Sequence, residues 1–339
     1  MKIFVTLGPV SSNRVEDLLT LGELEFRLTF SFGNAEMQID RAKNIRRTSD
    51  AKNRNSTIWG ALSGASDRVG KILRNGNEDT LLVRKNQKID VVDSNSIELE
   101  NATALPVPGI STKTLTIGAS FIYGRNHCEF TIEQLTANGC VAVPKSSAEI
   151  TGTRSLHFTN KQVESVELSA DTISQIKTIS ENAVLFDGLI IPDVYVIEKV
   201  SFAKKLLGSN QTHIKIASTV ERKIDLETFR EILTRSDYVF LDRSKISLNE
   251  GYISMPLIVE SYLNCSRKMK SKIIIASHIA STISQGRQPQ LSSAELSDLW
   301  AMKLKGVGGV LLTEETAIDA NFISSVEAVL DLSQAPPPL

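Results

Sequence analysis

The sequence has few cysteines, almost no net charge and no long apolar run, and each of these absences excludes a class of protein. Three cysteines in 339 residues, at Cys128, Cys140 and Cys265, are widely spaced and predict free thiols rather than a disulfide framework. A formal net charge of -1 lacks the basic surplus of a nucleic-acid-binding surface. No apolar run approaches membrane-spanning length, and the run 3–7 is too short for a signal-peptide core. We therefore expect a cytoplasmic protein with no nucleic-acid or membrane partner.

The remaining composition is that of an ordinary globular protein, with 41% hydrophobic and 23% charged residues. The length suffices for a barrel-sized core and one modest extra domain. Strand-like and helix-like segments alternate over residues 1–67 and again over 150–332. Between them, residues 68–149 contain short β-rich runs separated by turn residues, which predicts an inserted all-β lid domain. We expect the tail 333–339 to be disordered.

The alternating segments supply eight strand candidates outside the insertion. Eight strands, each followed by a helix, predict an α/β protein with a closed (β/α)₈ TIM barrel, interrupted after strand 3 by a small β-barrel domain. An open doubly wound sheet is the alternative, and the count of eight favours the barrel.

Several motifs resemble those of pyruvate kinases and occur in the same order. Lys2–Pro9 resembles the first barrel strand of that family, and Arg27–Gly33 resembles its motif R-x-N-F-S-H-G. Ile214–Glu221 resembles the fifth strand, and Ser236–Ile246 resembles the segment S-D-G-I-M-V-A-R-G-D-L. Gln290–Ala317 resembles, without a gap, the stretch that joins the seventh helix to the eighth strand. The chain is identified as a divergent member of the family, without the C-terminal regulatory domain usual there.

The resemblance implies positions for the family's catalytic groups, and several of these groups differ here. Glu221 matches the metal-binding glutamate at the end of strand five, but Lys245 stands where the family has its metal-binding aspartate. Thr219 stands where the family has the lysine that stabilises the moving phosphoryl group. Because phosphoryl transfer relies on cations around the transferring oxygens, we expect deficient transfer from phosphoenolpyruvate to ADP. We expect no cofactor, with Mg²⁺ bound only if Glu221 recruits a non-standard partner.

The resemblance also implies a surviving site for a small anionic substrate. Arg27 on strand two, Arg243 after strand six and Ser292 at the start of the seventh helix are the candidate anion ligands. The sequence S-S-A-E beginning at Ser292 is a capping-box pattern, and a helix N-terminus favours an anion. Ser31 is the one residue retained from the family's potassium site, and Asp193 follows strand four at the catalytic face.

The candidate catalytic residues are Glu221, Lys245, Thr219 and His278, which follows strand seven. Lys245 is either a structural ion-pair partner of Glu221 or a catalytic amine that can form a Schiff base. His278 is either a satisfied loop histidine or an acid/base group.

The favoured interpretation is an enzyme repurposed for a reaction on a small carboxylate or 2-oxo acid, as a lyase, isomerase or transferase. A non-catalytic binding protein of the same fold is the first alternative, and a pyruvate kinase with altered metal use is the second. We expect a homodimer or a monomer.

Overall fold

The structure is a computed structural model of a single chain with two compact units. It describes residues 1–64, 68–99, 104–110, 112–124, 128–152, 154, 156–158, 168–266 and 268–336. The first unit comprises Met1–Gly64 and Val166–Leu339, and the second comprises Ala65–Ser165. Within the described residues, no helix combines the length and apolar character needed to cross a bilayer.

The strands of the described residues are, in chain order, β1 (Lys2–Leu7), β2 (Glu25–Thr29), β3 (Thr57–Ala61), β4 (Lys71–Arg74), β5 (Asn77–Glu78), β6 (Thr80–Val83), β7 (Ile89–Val92), β8 (Ser96–Glu98), β9 (Ala104–Pro106), β10 (Ser120–Tyr123), β11 (Cys128–Thr136), β12 (Gly139–Pro144), β13 (Ala148–Thr151), β14 (Leu156–Phe158), β15 (Gly188–Ile191), β16 (Lys215–Val220), β17 (Tyr238–Asp242), β18 (Ile273–Ala276) and β19 (Gly309–Leu312). The α-helices are α1 (Val15–Leu21), α2 (Ala35–Lys52), α3 (Ala170–Glu181), α4 (Glu198–Leu207), α5 (Leu226–Arg235), α6 (Arg243–Glu250), α7 (Ser254–Cys265), α8 (Ser281–Ser284), α9 (Ser293–Leu304), α10 (Glu314–Ala317) and α11 (Phe322–Gln334).

Eight parallel strands of the first unit close into a barrel in the order β1-β19-β18-β17-β16-β15-β3-β2. Each strand pairs in parallel with both neighbours, and β19 closes the ring on β1. The predicted (β/α)₈ barrel, with its insertion after the third strand, is therefore confirmed.

The barrel strands are apolar because they are covered on both faces. Side chains at alternate positions pack outward against the helices in one large core. The intervening positions form a second cluster enclosed by the strands, whose members are Phe4, Trp59, Ala61, Ile190, Ala217, Phe240, Ile274, Ala276 and Leu311. Three of its aromatic rings interlock edge to face or tilted, with centroids 5.0 Å apart for Phe4–Phe240 and 5.9 Å for Phe4–Trp59. The lower part of the barrel is thus packed, which confines a ligand site to the strand ends.

The second unit has its own hydrophobic core and its own sheets. A six-stranded sheet runs β14-β10-β11-β12-β7-β9, beside a pair β13-β6 and a three-stranded sheet β5-β4-β8. Strand β14, which lies after the predicted boundary at residue 149, pairs with β10 and so extends this unit.

Helix α6 is an element that the sequence analysis did not predict. It begins directly after β17, without the intervening loop that usually marks a strand-to-helix connection. Asp242, the last residue of β17, caps it through its side chain, which accepts from the backbone N–H of Lys245. At the chain's end, α11 continues to Gln334, two residues into the segment expected to be disordered.

Candidate active site

The candidate site residues lie at or just after the C-terminal ends of the barrel strands, except Ser292, which precedes α9. Phe26 and Leu28 of β2 belong to the outer core, so Arg27 between them faces the barrel interior. By the same alternation, Thr219 lies on the side of β16 that also carries the enclosed Ala217. The barrel interior is thus polar near the C-terminal ends of the strands. Below that level it is filled by apolar side chains.

Glu221 follows β16 and has the most perturbed environment of this group. As a residue it is partly exposed, but its carboxyl group is surrounded by protein atoms. Burial raises the pKa of Glu221 to about 7, because the charged form loses its hydration. The Lys245 ammonium opposes this rise, while the negative charges of Asp193 and Asp242 add to it. A carboxyl group with a pKa near neutrality can both take up and release a proton at physiological pH.

Lys245 and Glu221 are close enough for their charges to interact, which the sequence could not establish. In the described part of the chain no direct ion pair joins the two groups, so the interaction acts through space. Lys245 lies in the first turn of α6 and is partly buried. The helix therefore carries an ammonium group to the barrel mouth, beside the carboxyl group of Glu221.

Asp242 is a site residue that the sequence analysis did not single out. Its Oδ1 atom accepts from the backbone N–H of Lys245 at 3.2 Å and from the Ser277 hydroxyl at 2.8 Å. It thus brings a carboxylate to the start of α6, where the helix dipole favours negative charge. The sequence did contain a signal for this role, since an Asp directly before the first residue of a helix is a common N-cap.

Arg27 is placed to act on both carboxylates of the mouth. Burial lowers the pKa of Arg27, and the charges of Asp242 and Glu221 oppose that effect. Its Nη1 donates to Thr6 Oγ1 at 3.3 Å, and its buried Nε has no hydrogen-bond partner among the described residues. The guanidinium carries more donors than this one bond uses, which suits it to bind an anionic ligand.

Asp193 is occupied by protein partners. Arg222 donates to both of its carboxylate oxygens, from Nε at 2.9 Å and from Nη2 at 2.5 Å. The backbone N–H of Asp193 donates to Glu221 Oε1 at 3.3 Å, and its backbone φ of 46° is left-handed. Lys199 Nζ donates to the Asp193 carbonyl at 2.9 Å and lies 4.1 Å from the centre of the Tyr195 ring. Asp193 therefore positions Glu221, and sequence reasoning missed its partner Arg222.

Arg243, a predicted anion ligand, is buried and already bound by the protein. Its Nη1 pairs with Asp298 Oδ2 at 2.6 Å, and its Nη2 donates to the carbonyl of Ser277 at 2.8 Å and to that of His278 at 3.4 Å. Only 6% of its surface is exposed. The structure therefore assigns its guanidinium to the turn after β18.

That turn has an unusual backbone. Ser277, His278 and Ala280 all have positive φ values of 71°, 58° and 54°. Serine and alanine seldom adopt this left-handed region, and such strain clusters at functional sites. His278 is exposed, and its Nε2 lies 3.1 Å from the Ser244 hydroxyl of α6.

The other predicted ligands have the following positions. Ser292 caps α9 in the predicted capping box: its Oγ accepts from Glu295 N at 3.2 Å and donates to a Glu295 carboxylate oxygen at 2.8 Å. A carboxylate of the chain itself therefore lies at the helix end that was expected to hold an anion. Ser31 lies in a short 3₁₀ turn, where its N–H donates to Thr29 Oγ1 at 3.3 Å. Thr219 is partly exposed, and its carbonyl accepts from Val194 N.

The chain matches the family model described as pyruvate kinase, barrel domain, over residues 1–326. It is 23% identical to the pyruvate kinase of Thermococcus litoralis over 337 residues, which cover 98% of this chain and 69% of that protein. The pyruvate kinase of Thermotoga maritima is also 23% identical, over 97% of this chain and 69% of its own length. Pyruvate kinase PKLR of Homo sapiens is 23% identical over 96% of this chain, but over only 57% of its own length.

The expectation that the chain uses no cofactor is wrong, because enzymes of the matched family normally need Mg²⁺ and K⁺. The donors at the barrel mouth nevertheless differ from the arrangement that the resemblance implies. An ammonium group, Lys245, stands at the position of a metal-binding aspartate, and an ammonium cannot ligate Mg²⁺. Among the described residues, no three His, Cys, Asp or Glu side chains are grouped to hold a metal ion. The residues described therefore do not fit a Mg²⁺ site of that pattern.

Proposed function

Because this chain belongs to the pyruvate kinase family, we propose that it is an enzyme acting on a small carboxylate or 2-oxo acid at the C-terminal face of its barrel. Its reaction is proton transfer at the carbon next to the carbonyl group, and its transfer of phosphoryl groups from phosphoenolpyruvate to ADP is weak. The observation that carries this proposal is the buried Glu221 carboxyl group, whose pKa of about 7 suits a general base at neutral pH.

In this mechanism Arg27 binds the substrate carboxylate with the donors that Thr6 leaves unused. Ionised Glu221 takes the proton from the carbon next to the carbonyl group. Negative charge then develops on the carbonyl oxygen, and the Lys245 ammonium stabilises it across the mouth. Asp193 supports this arrangement, since its backbone N–H donates to Glu221.

The residues at the barrel mouth also disfavour phosphoryl transfer. That reaction relies on cations placed around the transferring oxygens, among them a lysine that the resemblance places at Thr219. A threonine supplies no positive charge there, and Lys245 takes the place of the aspartate that the resemblance assigns to the metal ion. Weak phosphoryl transfer follows from the two effects together.

Exchange of the pyruvate methyl protons with deuterium oxide tests the proposal. With Mg²⁺ and K⁺ present, we expect the chain to accelerate this exchange, which proton NMR follows directly. Glu221→Gln should slow the exchange by at least about 100-fold, the usual contribution of a general base. Glu227→Gln, which alters an exposed residue of α5, is the matched control and should exchange as fast as the unaltered chain. Equal rates with Glu221→Gln would reject the assigned base.

A second candidate function is phosphoryl transfer with altered metal use. Glu221 favours it, because a carboxyl group is kept at the position that the resemblance assigns to a metal ligand, and carboxylate oxygens bind hard divalent cations. A coupled assay with phosphoenolpyruvate, ADP, K⁺ and either Mg²⁺ or Mn²⁺ separates the two candidates. Pyruvate formation at rates usual for a kinase, roughly 1–100 per second, would favour this second function. If the chain shows no turnover and no proton exchange, the result would favour a binding protein without catalysis.

A further inference from the structure

We propose that Ser244 and His278 form a nucleophile–base pair that is acylated by activated esters and hydrolyses them. This activity is separate from the proton transfer assigned to Glu221. It uses two side chains on the outer rim of the barrel mouth, one from α6 and one from the turn after β18.

The contact between the two side chains suits this chemistry. Ser244 Oγ and His278 Nε2 lie 3.1 Å apart, within the range that a base needs to take a hydroxyl proton. When the imidazole is neutral and its proton is on Nδ1, Nε2 accepts from the serine hydroxyl. Both residues are accessible, with His278 exposed and Ser244 partly exposed, so an ester can reach them.

The surrounding structure fixes the position of the histidine. His278 and the preceding Ser277 both have left-handed backbones, a conformation that serine seldom adopts. The buried Arg243 donates to the carbonyl groups of both residues, and Asp298 holds Arg243 from α9. Asp242 accepts from the Ser277 hydroxyl. A half-buried ion pair and a left-handed turn thus hold one exposed imidazole in place, which an ordinary surface histidine does not need.

The position of Ser244 at the start of α6 also suits a nucleophile. Ser244 is the second residue of α6, where the helix dipole favours negative charge. In the same turn, the Asp242 side chain accepts a hydrogen bond from the backbone N–H of Lys245 and so caps the helix.

The proposed reaction has two balanced steps. Ser244 Oγ forms a bond to the ester carbonyl carbon, its proton passes to His278 Nε2, and the ester C–O bond breaks. The departing alkoxide receives that proton from His278. Water then attacks the acyl-serine with His278 again as the base, which releases the carboxylic acid and regenerates the hydroxyl group.

The test treats the full chain with diisopropyl fluorophosphate and locates the adduct by peptide mass spectrometry. We expect one adduct, on Ser244, formed as the P–F bond breaks and fluoride leaves. Ser244→Ala should abolish the adduct, whereas Ser247→Ala, one turn along the same helix, should be labelled like the unaltered chain. An adduct elsewhere, or none, would overturn the proposal.

The role of the base has its own variant. His278→Asn removes the imidazole but keeps a residue that tolerates the left-handed backbone, so the turn should stay folded. We expect labelling of Ser244 to slow by at least about 100-fold. Equal labelling in a variant with an unchanged circular dichroism spectrum would show that Ser244 reacts without this base, which contradicts the proposal. Release of p-nitrophenol from p-nitrophenyl acetate should fall in parallel for both variants.

Discussion

Glu221 is the residue in which the environment has changed the chemistry most. A surface glutamate is ionised at neutral pH, but burial and two neighbouring carboxylates favour the protonated form of this one. The Lys245 ammonium opposes that effect, as does the hydrogen bond from the backbone N–H of Asp193. The sequence identified both residues through the family resemblance, but the pKa depends on Asp193 and Asp242, which come from other strands and which no local pattern connects to Glu221.

Glu221 should make the stability of the chain depend on pH. The folded pKa of about 7 lies above the ordinary 4.5, so the folded state binds more protons between these values. The contribution of Glu221 to the free energy of unfolding should therefore be fully present below about pH 4.5 and should be lost, by up to about 3 kcal/mol, as the pH rises through 7. Glu221→Gln cannot ionise and should show a flatter profile in urea unfolding at pH 5 and pH 8. Parallel profiles for the two proteins would contradict the assigned burial.

Arg27 should dominate the affinity for a small acid. A hydrogen bond between charged groups contributes about 1.5–3 kcal/mol, so Arg27→Met should weaken pyruvate binding by roughly 10–100-fold. Isothermal titration calorimetry measures the difference. Arg47→Met, on the exposed face of α2, is the control and should bind pyruvate unchanged. Equal affinity in the Arg27 variant would remove this residue from the site.

At the scale of elements, local sequence patterns predict a helix or strand where the segment contains its own capping residue and apolar spacing. The sequence of helix α5 marks its own start and apolar face, because Asp225 caps it and its apolar positions follow helical spacing. Helix α6 was missed, since it starts at once after a strand and has only two buried residues. The turn after β18 was also beyond sequence reasoning, because its left-handed residues are not the glycines that usually mark such a backbone.

The turn after β18 should depend on Arg243. Arg243→Met leaves two carbonyl groups and the Asp298 carboxylate without their partner, and we expect a loss of about 2–3 kcal/mol in the free energy of unfolding. Asp298→Asn keeps a hydrogen-bond acceptor and should cost about 1 kcal/mol. Chemical denaturation measures both. If Arg243→Met keeps full stability and loses only ligand affinity, the anion-binding role predicted from the sequence is correct instead.

At the scale of the whole molecule, the sequence was most informative. Eight βα segments around a β-rich insertion predicted the barrel, and the ordered motifs predicted the family, which the match over residues 1–326 confirms. This succeeds because burial of the strands imposes an apolar pattern that is visible in the sequence. The cytoplasmic location and the homodimer stay predictions.

The two units should unfold separately. Each has a hydrophobic core of its own, one within Met1–Gly64 and Val166–Leu339 and the other within Ala65–Ser165. We expect differential scanning calorimetry of the full chain to give more than one transition, with a calorimetric enthalpy above the van't Hoff enthalpy. A single two-state transition would show that the units unfold as one.

The most direct test of the central claim is a pH titration of the Glu221 carboxyl carbon by ¹³C NMR. Glutamate-labelled protein, compared with Glu221→Gln to assign the resonance, gives the pKa of this one group. We predict a midpoint near 7. A midpoint near the ordinary value of 4.5 would mean that Glu221 is a solvated carboxylate, and the proposed proton transfer would lose its base.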